Sequence, residues 1–240
     1  MLKELVEHLQ NVAHGRENLV DGNSYVTRPM SLPPAEPMPK PLAVTTLNAV
    51  VGYLSANRDA LNLEEIVVLV DSPTEVTVYG PLRGRHQQRA CYVTAKAETP
   101  SVKLDTWIDR EMAQIMLTSR FAPGHDLDAA LRLISQVESG VTRSAGDDGV
   151  QQTVTVRRGA ATKEREVVRR SYVLAPHRTF AEVSQPPSPF VLRIRGDEDE
   201  VSGGLFEADG GAWRLAARSL ISDYLVEKLG DETLPVEVLL

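Results

Sequence analysis

The sequence predicts an α+β fold with a mostly antiparallel sheet, several packing helices and an extended proline-rich N-terminal arm. Three observations carry that expectation. Residues 66–70 form a β-branched run, and 75–79 and 89–97 alternate apolar with polar, separated by the turn signals Asp71-Ser72-Pro73 and Gly80 to Gly84. Apolar residues recur at helical spacing in several other segments. Six prolines crowd positions 29–41, where they remove amide donors and set φ for an extended chain.

In chain order, Leu2, Leu5, Val6, Leu9 and Val12 predict a short amphipathic helix ending near Gly15, followed by the proline-rich arm. A boundary is expected at 41, giving an N-terminal helix and arm over 1–41 and one α+β domain over 42–240. Thr45 or Thr46 can cap a helix bearing Leu47, Val50, Val51, Leu54 and Leu61. The three strands that follow form, most simply, an antiparallel meander. Asp105 is expected to cap a helix carrying Trp107, Ile108, Met112, Ile115 and Met116, and Asp126 another carrying Leu127, Leu131, Ile134 and Val137. After the small, polar stretch 140–149, Val150, Thr153 to Val156, Val167, Val168 and Tyr172 to Leu174 predict a long hairpin joined around 159–165. Strands at 190–194 and 205–208 come next, and Gly210-Gly211 opens a helix with Trp213, Ala217, Leu220, Tyr224 and Leu225 that stops at Gly230.

Bulk properties narrow the function classes. An apolar fraction of 42% argues against disorder throughout, and a net charge of -7 disfavours a broadly basic nucleic-acid surface while leaving room for a local one. The lone Cys91 has no internal disulfide partner, and the N-terminus has no uninterrupted apolar core of a leader, so a cytoplasmic protein without a membrane span is expected.

Catalytic signatures are sparse. The glycines build neither a phosphate-cradling loop nor a dinucleotide fingerprint, there is no Gly-x-Ser-x-Gly turn, and the five histidines are dispersed. Asp71, Lys96 and Glu98 resemble the acid and lysine set of a metal-dependent nuclease, but the lysine precedes its acid, which favours a solvated strand face. Glu207 and Asp209 alternate to one face and are weak candidate metal ligands, with capping of the next helix the simpler role for Asp209. No cofactor is expected.

Charge, by contrast, is polarised. Arg157, Arg158, Lys163, Arg165, Arg169 and Arg170 cluster on the hairpin, and Asp197, Glu198, Asp199 and Glu200 form an acidic loop soon after. The basic strip can meet the acidic loop of another subunit, the favoured reading, or the phosphates of a nucleic acid.

Three stretches carry a family likeness: Gly149-Val150-Gln151-Gln152-Thr153-Val154-Thr155-Val156, then Leu174-Ala175-Pro176-His177-Arg178-Thr179-Phe180-Ala181-Glu182-Val183-Ser184-Gln185-Pro186, then Leu205-Phe206-Glu207-Ala208-Asp209-Gly210-Gly211-Ala212-Trp213. They resemble the YfdQ-like proteins of bacteriophages and prophages, a family of unknown function, over about Leu47 to Leu229. The resemblance implies a phage origin and a bacterial cytoplasmic setting, and lends no catalytic residues. In the middle stretch, Pro176, Pro186, Pro187 and Pro189 oppose regular pairing, so Arg178 and Glu182 are expected to fix an irregular connection by hydrogen bonds and an ion pair. Gly210, Gly211 and Trp213 read as structural. The resulting expectation is a non-enzymatic phage accessory protein that assembles into a symmetric homo-oligomer, a ring or capsid-like shell at the ambitious end, through its arm and hairpin. A nucleic-acid-binding accessory to phage recombination or replication and a metal-dependent hydrolase are the alternatives.

Overall fold

The computed structural model describes residues 3–6, 17–20, 23–26, 38–84, 87–137, 152–158, 162–196, 201–230 and 235–240. Contacts divide the chain into two units, Met1–Met38 with Gly84–Gln87, and Pro39–Arg83 with Gln88–Leu240. In the first, residues 3–6 are helical with Leu5 and Val6 exposed, and β1 (Glu17–Val20) pairs antiparallel with β2 (Asn23–Val26). That pairing is absent from the expectation of a helix followed directly by an arm. The remainder of the expected helix and most of the proline-rich stretch lie outside the described residues.

The second unit is α+β and mostly antiparallel, with two hydrophobic cores. Around the first core, β4 (Val67–Ser72), β5 (Glu75–Arg83) and β6 (Gln88–Lys96) form the expected antiparallel meander. Two three-residue strands flank it in parallel: β3 (Leu42–Val44) beside β6 and, from the far end of the chain, β13 (Glu237–Leu239) beside β4. Helix α1 (Leu47–Ala56) covers this sheet with Leu47, Val50 and Leu54, all buried at helical spacing. Its amides are capped twice. Thr46 Oγ1 accepts from Ala49 N at 3.2 Å, and the distant Glu182 Oε1 accepts from Asn48 N at 3.2 Å.

The second core lies under a wholly antiparallel sheet of order β10 (Tyr172–Leu174), β11 (Ser188–Gly196), β12 (Val201–Glu207) and β7 (Trp107–Asp109). Helices α2 (Arg110–Arg120) and α3 (His125–Gln136) pack on it. Helix α4 (Trp213–Leu229) then returns to the first core with Ile221, Leu225 and Leu229.

Several expected details are corrected. Asp105 does not cap a helix: it sits at φ 54 and donates its amide to Leu205 O, and Trp107 and Ile108 are drawn into β7 because β12 needs an antiparallel neighbour at Ser202–Gly204. Asp109 is the cap, its Oδ1 accepting from Met112 N at 2.8 Å. Gly124, not Asp126, occupies the cap position of α3. Pro189 is accommodated near the start of β11, where a missing donor is tolerated, and β12 begins earlier than the 205 expected.

Candidate functional site

The basic hairpin forms, but its second strand begins at Thr162, inside the connection expected over 159–165, and Tyr172–Leu174 leaves it to pair with β11 as β10. Strands β8 (Gln152–Arg158) and β9 (Thr162–Val168) pair antiparallel, with Gln152 opposite Val168, Arg157 opposite Lys163 and Arg158 opposite Thr162. Its root is buried: Val154, Val156 and Val168 belong to the second core, and Val137 bridges Val156. Gln152 ties the root to the sheet by pairing its side-chain amide with both backbone groups of Ile194, its Nε2 donating to Ile194 O and its Oε1 accepting from Ile194 N at 3.0 Å. That amide stands in for one rung of a ladder on the part of β11 that β10 does not reach.

Because strand residues alternate between faces, the register sorts the hairpin's charges. Thr153, Thr155 and Arg157 share one face with Lys163, Arg165 and Val167, whereas Glu164 and Glu166 fall on the other, with Arg158 and the buried valines. Val167 is exposed, so the first face does not enter the core. It carries three cations and no acid.

Beside the root lies a cleft of about 440 Å³. Arg132 and Gln136 line it from α3, and Glu166, Val167, Arg169 and Tyr172 from the hairpin side. Arg169 Nη1 pairs with Asp126 Oδ1 at 2.9 Å, and its guanidinium lies 5.7 Å from the centre of the Tyr172 ring. The other oxygen of Asp126 accepts from Val173 N at 2.8 Å, and this amide, together with His125 and Arg169, holds the carboxyl below its ordinary range. Asp126 therefore stitches α3 to β10, a role its position in sequence conceals. Arg170 is exposed next to this cleft in sequence. The acidic loop 197–200 lies outside the described residues.

A second polar cluster sits where the chain passes between the two cores. Arg178, nearly buried, donates from Nη1 to Glu207 Oε1 at 3.0 Å and from Nη2 to Pro186 O at 3.1 Å and Ser188 Oγ at 2.7 Å. Its guanidinium stacks 3.9 Å from the centre of the Trp213 ring. Burial pulls the guanidinium down to about 10, against the opposing pull of Glu207 and Asp209. The ion pair expected with Glu182 is replaced by one with Glu207, since Glu182 faces the amide end of α1 instead. Gln185, which the sequence did not single out, completes the loop: its Oε1 accepts from Arg178 N and Thr179 N, and its Nε2 donates to Phe180 O.

Three of the carboxylates weighed as metal ligands, Asp71, Glu207 and Asp209, are engaged by the protein. Asp209 accepts from Gly211 N at 2.9 Å and Trp213 N at 3.0 Å, so it satisfies amides at the start of α4. Although burial opposes it, those amides and Arg178 hold its carboxyl below the ordinary range. Gly210 and Gly211 both take positive φ, 62 and 86, which requires glycine between Asp209 and the helix. Asp71 accepts from Thr77 Oγ1 at 2.6 Å on β4, while Lys96 ends β6 and Glu98 follows it, with β5 between the two strands. Two strand spacings put them about 10 Å apart. Among the described residues no three His, Cys, Asp or Glu side chains gather as metal ligands would. Cys91 is half-buried, its Sγ 3.5 Å from Thr94 Oγ1. Among the described residues no helix is long and apolar enough to cross a membrane.

Comparison with protein-family models, with curated proteins and with solved structures finds no match to this chain.

Proposed function

We propose that this chain is a non-enzymatic accessory protein of phage or prophage origin that assembles into a symmetric homo-oligomer in the bacterial cytoplasm. The hairpin is its principal contact and the proline-rich arm a second one. The likeness of the three quoted stretches to the YfdQ-like family supports the phage setting. One observation supports assembly above the others: the contrast between the edges of the sheets. Strands β3, β13, β7 and β10, which end the two large sheets, are three residues long each. Strands so short offer little to another chain. β8 and β9 are seven residues each, and among the described residues they pair only with each other apart from the Val137 bridge.

A two-stranded ladder is marginal in water by itself, and its outward amides and carbonyls are a template for strand addition. Pairing of one hairpin edge with the same edge of a second copy gives a two-fold contact, and pairing with a different edge gives a ring or shell.

Light scattering of the full chain tests this. Wild type is expected at a multiple of its 26.3 kDa chain mass. Replacing residues 157–163 with Asn-Gly joins the opposed Val156 and Glu164 through a two-residue turn and keeps the buried root. This variant should drop in mass while retaining its circular dichroism spectrum. A monodisperse wild-type monomer would refute the proposal.

A further inference from the structure

The edge of the hairpin and its face are separate surfaces, and the face has its own chemistry. Arg157 and Lys163 are directly opposed across the ladder, and Arg165 lies in the next rung of the same face, opposite Thr155. Directly opposed residues have Cβ atoms about 5 Å apart, so like charges there destabilise the pair. The like-charged pair lies in a ladder that is already marginal in water. A bound anion between the two strands would reverse that penalty.

The register also separates the signs. Glu164 and Glu166 sit between and beside these cations in sequence, yet both fall on the opposite face. A face meant only for solvation gains nothing from excluding acids, whereas a face that receives an extended anion does. Past Val167, which borders both, lies the cleft, where Arg132 and Arg169 add two guanidinium groups against the single carboxylate of Glu166. Arg169 is partly neutralised by Asp126, and Arg132 donates from Nε to Asp128 O, a neutral carbonyl.

We propose that this face of the hairpin, continued by the Arg132 and Arg169 cleft, binds the phosphate backbone of a nucleic acid. The anion must be long, because cations on successive rungs are about 7 Å apart along the strand and the cleft lies beyond them. It must be recognised by charge, because the face offers threonines and a valine, and the Tyr172 ring at the cleft is buried and gives a base nothing to stack on. Binding is therefore independent of sequence and steep in salt. The negative charge of the whole chain confines binding to this local strip.

The test is fluorescence anisotropy of labelled DNA of about 40 nucleotides, single-stranded and duplex, titrated with the full chain between about 50 and 200 mM salt. Wild type should bind at the lower salt, with equal affinity for homopolymeric and mixed sequences. The triple variant Arg157→Ser, Lys163→Ser, Arg165→Ser should lose at least about tenfold in affinity, and its log-log salt slope on single strands should flatten by about 2. Arg83→Ser with Lys103→Ser removes exposed cations elsewhere and should bind as wild type does. Arg157→Lys with Arg165→Lys keeps the charge and should keep most of the binding. The proposal is overturned by absence of binding at the lower salt, by a triple variant that binds as wild type, or by a charge-keeping pair that loses as much as the triple. Light scattering on the same samples separates the two proposals: a monomeric wild type that binds DNA through these residues defeats self-assembly alone, and an oligomer that binds no DNA defeats this one.

Discussion

Arg178 and Trp213 stack with the guanidinium carbon 3.9 Å from the ring centre, and this contact joins the loop between the two cores to the first turn of α4. On either side of Arg178 the chain divides its loyalties: Pro176 bridges Phe121 of the second core, and Phe180 is buried in the first. The same guanidinium holds Glu207 at the end of β12 and Ser188 at the start of β11. One side chain thus spans the seam, and its planar fork explains why arginine rather than lysine stands there.

Replacing Arg178 should consequently destabilise both cores together. Arg178→Ala leaves Ser188 and Pro186 O without their donor and Glu207 without its cation, and is expected to cost about 3 kcal/mol in urea denaturation. Arg178→Lys, which can neither fork nor stack in the same way, should recover less than half of that loss. A loss below about 0.5 kcal/mol for Arg178→Ala would show the seam to be held elsewhere.

Two adjacent glycines of β12 should respond in opposite directions. A Cβ at Gly203 would rest 3.5 Å from Ala113 Cβ and 3.9 Å from Ile134, an ordinary contact, so Gly203→Ala should stabilise by about 0.5 kcal/mol through the lost freedom of the unfolded chain. At Gly204 it would meet the Phe206 ring at 2.8 Å, and Phe206 is itself set edge-on to Trp107 at 5.7 Å between centroids. Gly204→Ala should destabilise by about 1 to 3 kcal/mol. Thermal melts of the two variants decide the matter, and a shift of equal sign for both would contradict the packing described here.

Asp126 predicts a pH dependence. Its carboxyl is held below the unfolded value, chiefly by the Val173 amide, so its contribution is complete above the unfolded carboxylate range and is lost as pH falls through the lower, folded value. The stability difference between wild type and Asp126→Asn should therefore be largest near neutrality and shrink below about pH 4. A difference that stays constant from pH 7 to strongly acid solution would assign the effect to packing and not to charge.

Much of the framework was legible in residues close together in sequence. The alternation in 75–79 and 89–97 specified the meander, Thr46 and the Leu47, Val50, Leu54 stripe specified α1, and Asp209 with Gly210-Gly211 specified the opening of α4. Each is decided within one or two turns of chain, where periodicity and capping act. The alternation of the hairpin likewise determined which residues could share the cationic face, once the register between β8 and β9 was known.

Long-range demand decided the rest. Trp107 and Ile108 read as helix until β12 claims them as its neighbour, and Asp126 reads as a cap until β10 brings the Val173 amide to it. Glu182, four residues on, is the partner for Arg178 that the sequence points to, and only the return of the chain from β12 to α4 brings Glu207 there instead, leaving Glu182 to cap α1 from 134 positions away. The sequence by itself determined the local elements and the sign of charge that the hairpin carries. The tertiary structure decided which side chains meet, because a hydrogen bond or ion pair needs two groups within about 3 Å, and no local periodicity records which distant strand supplies the second.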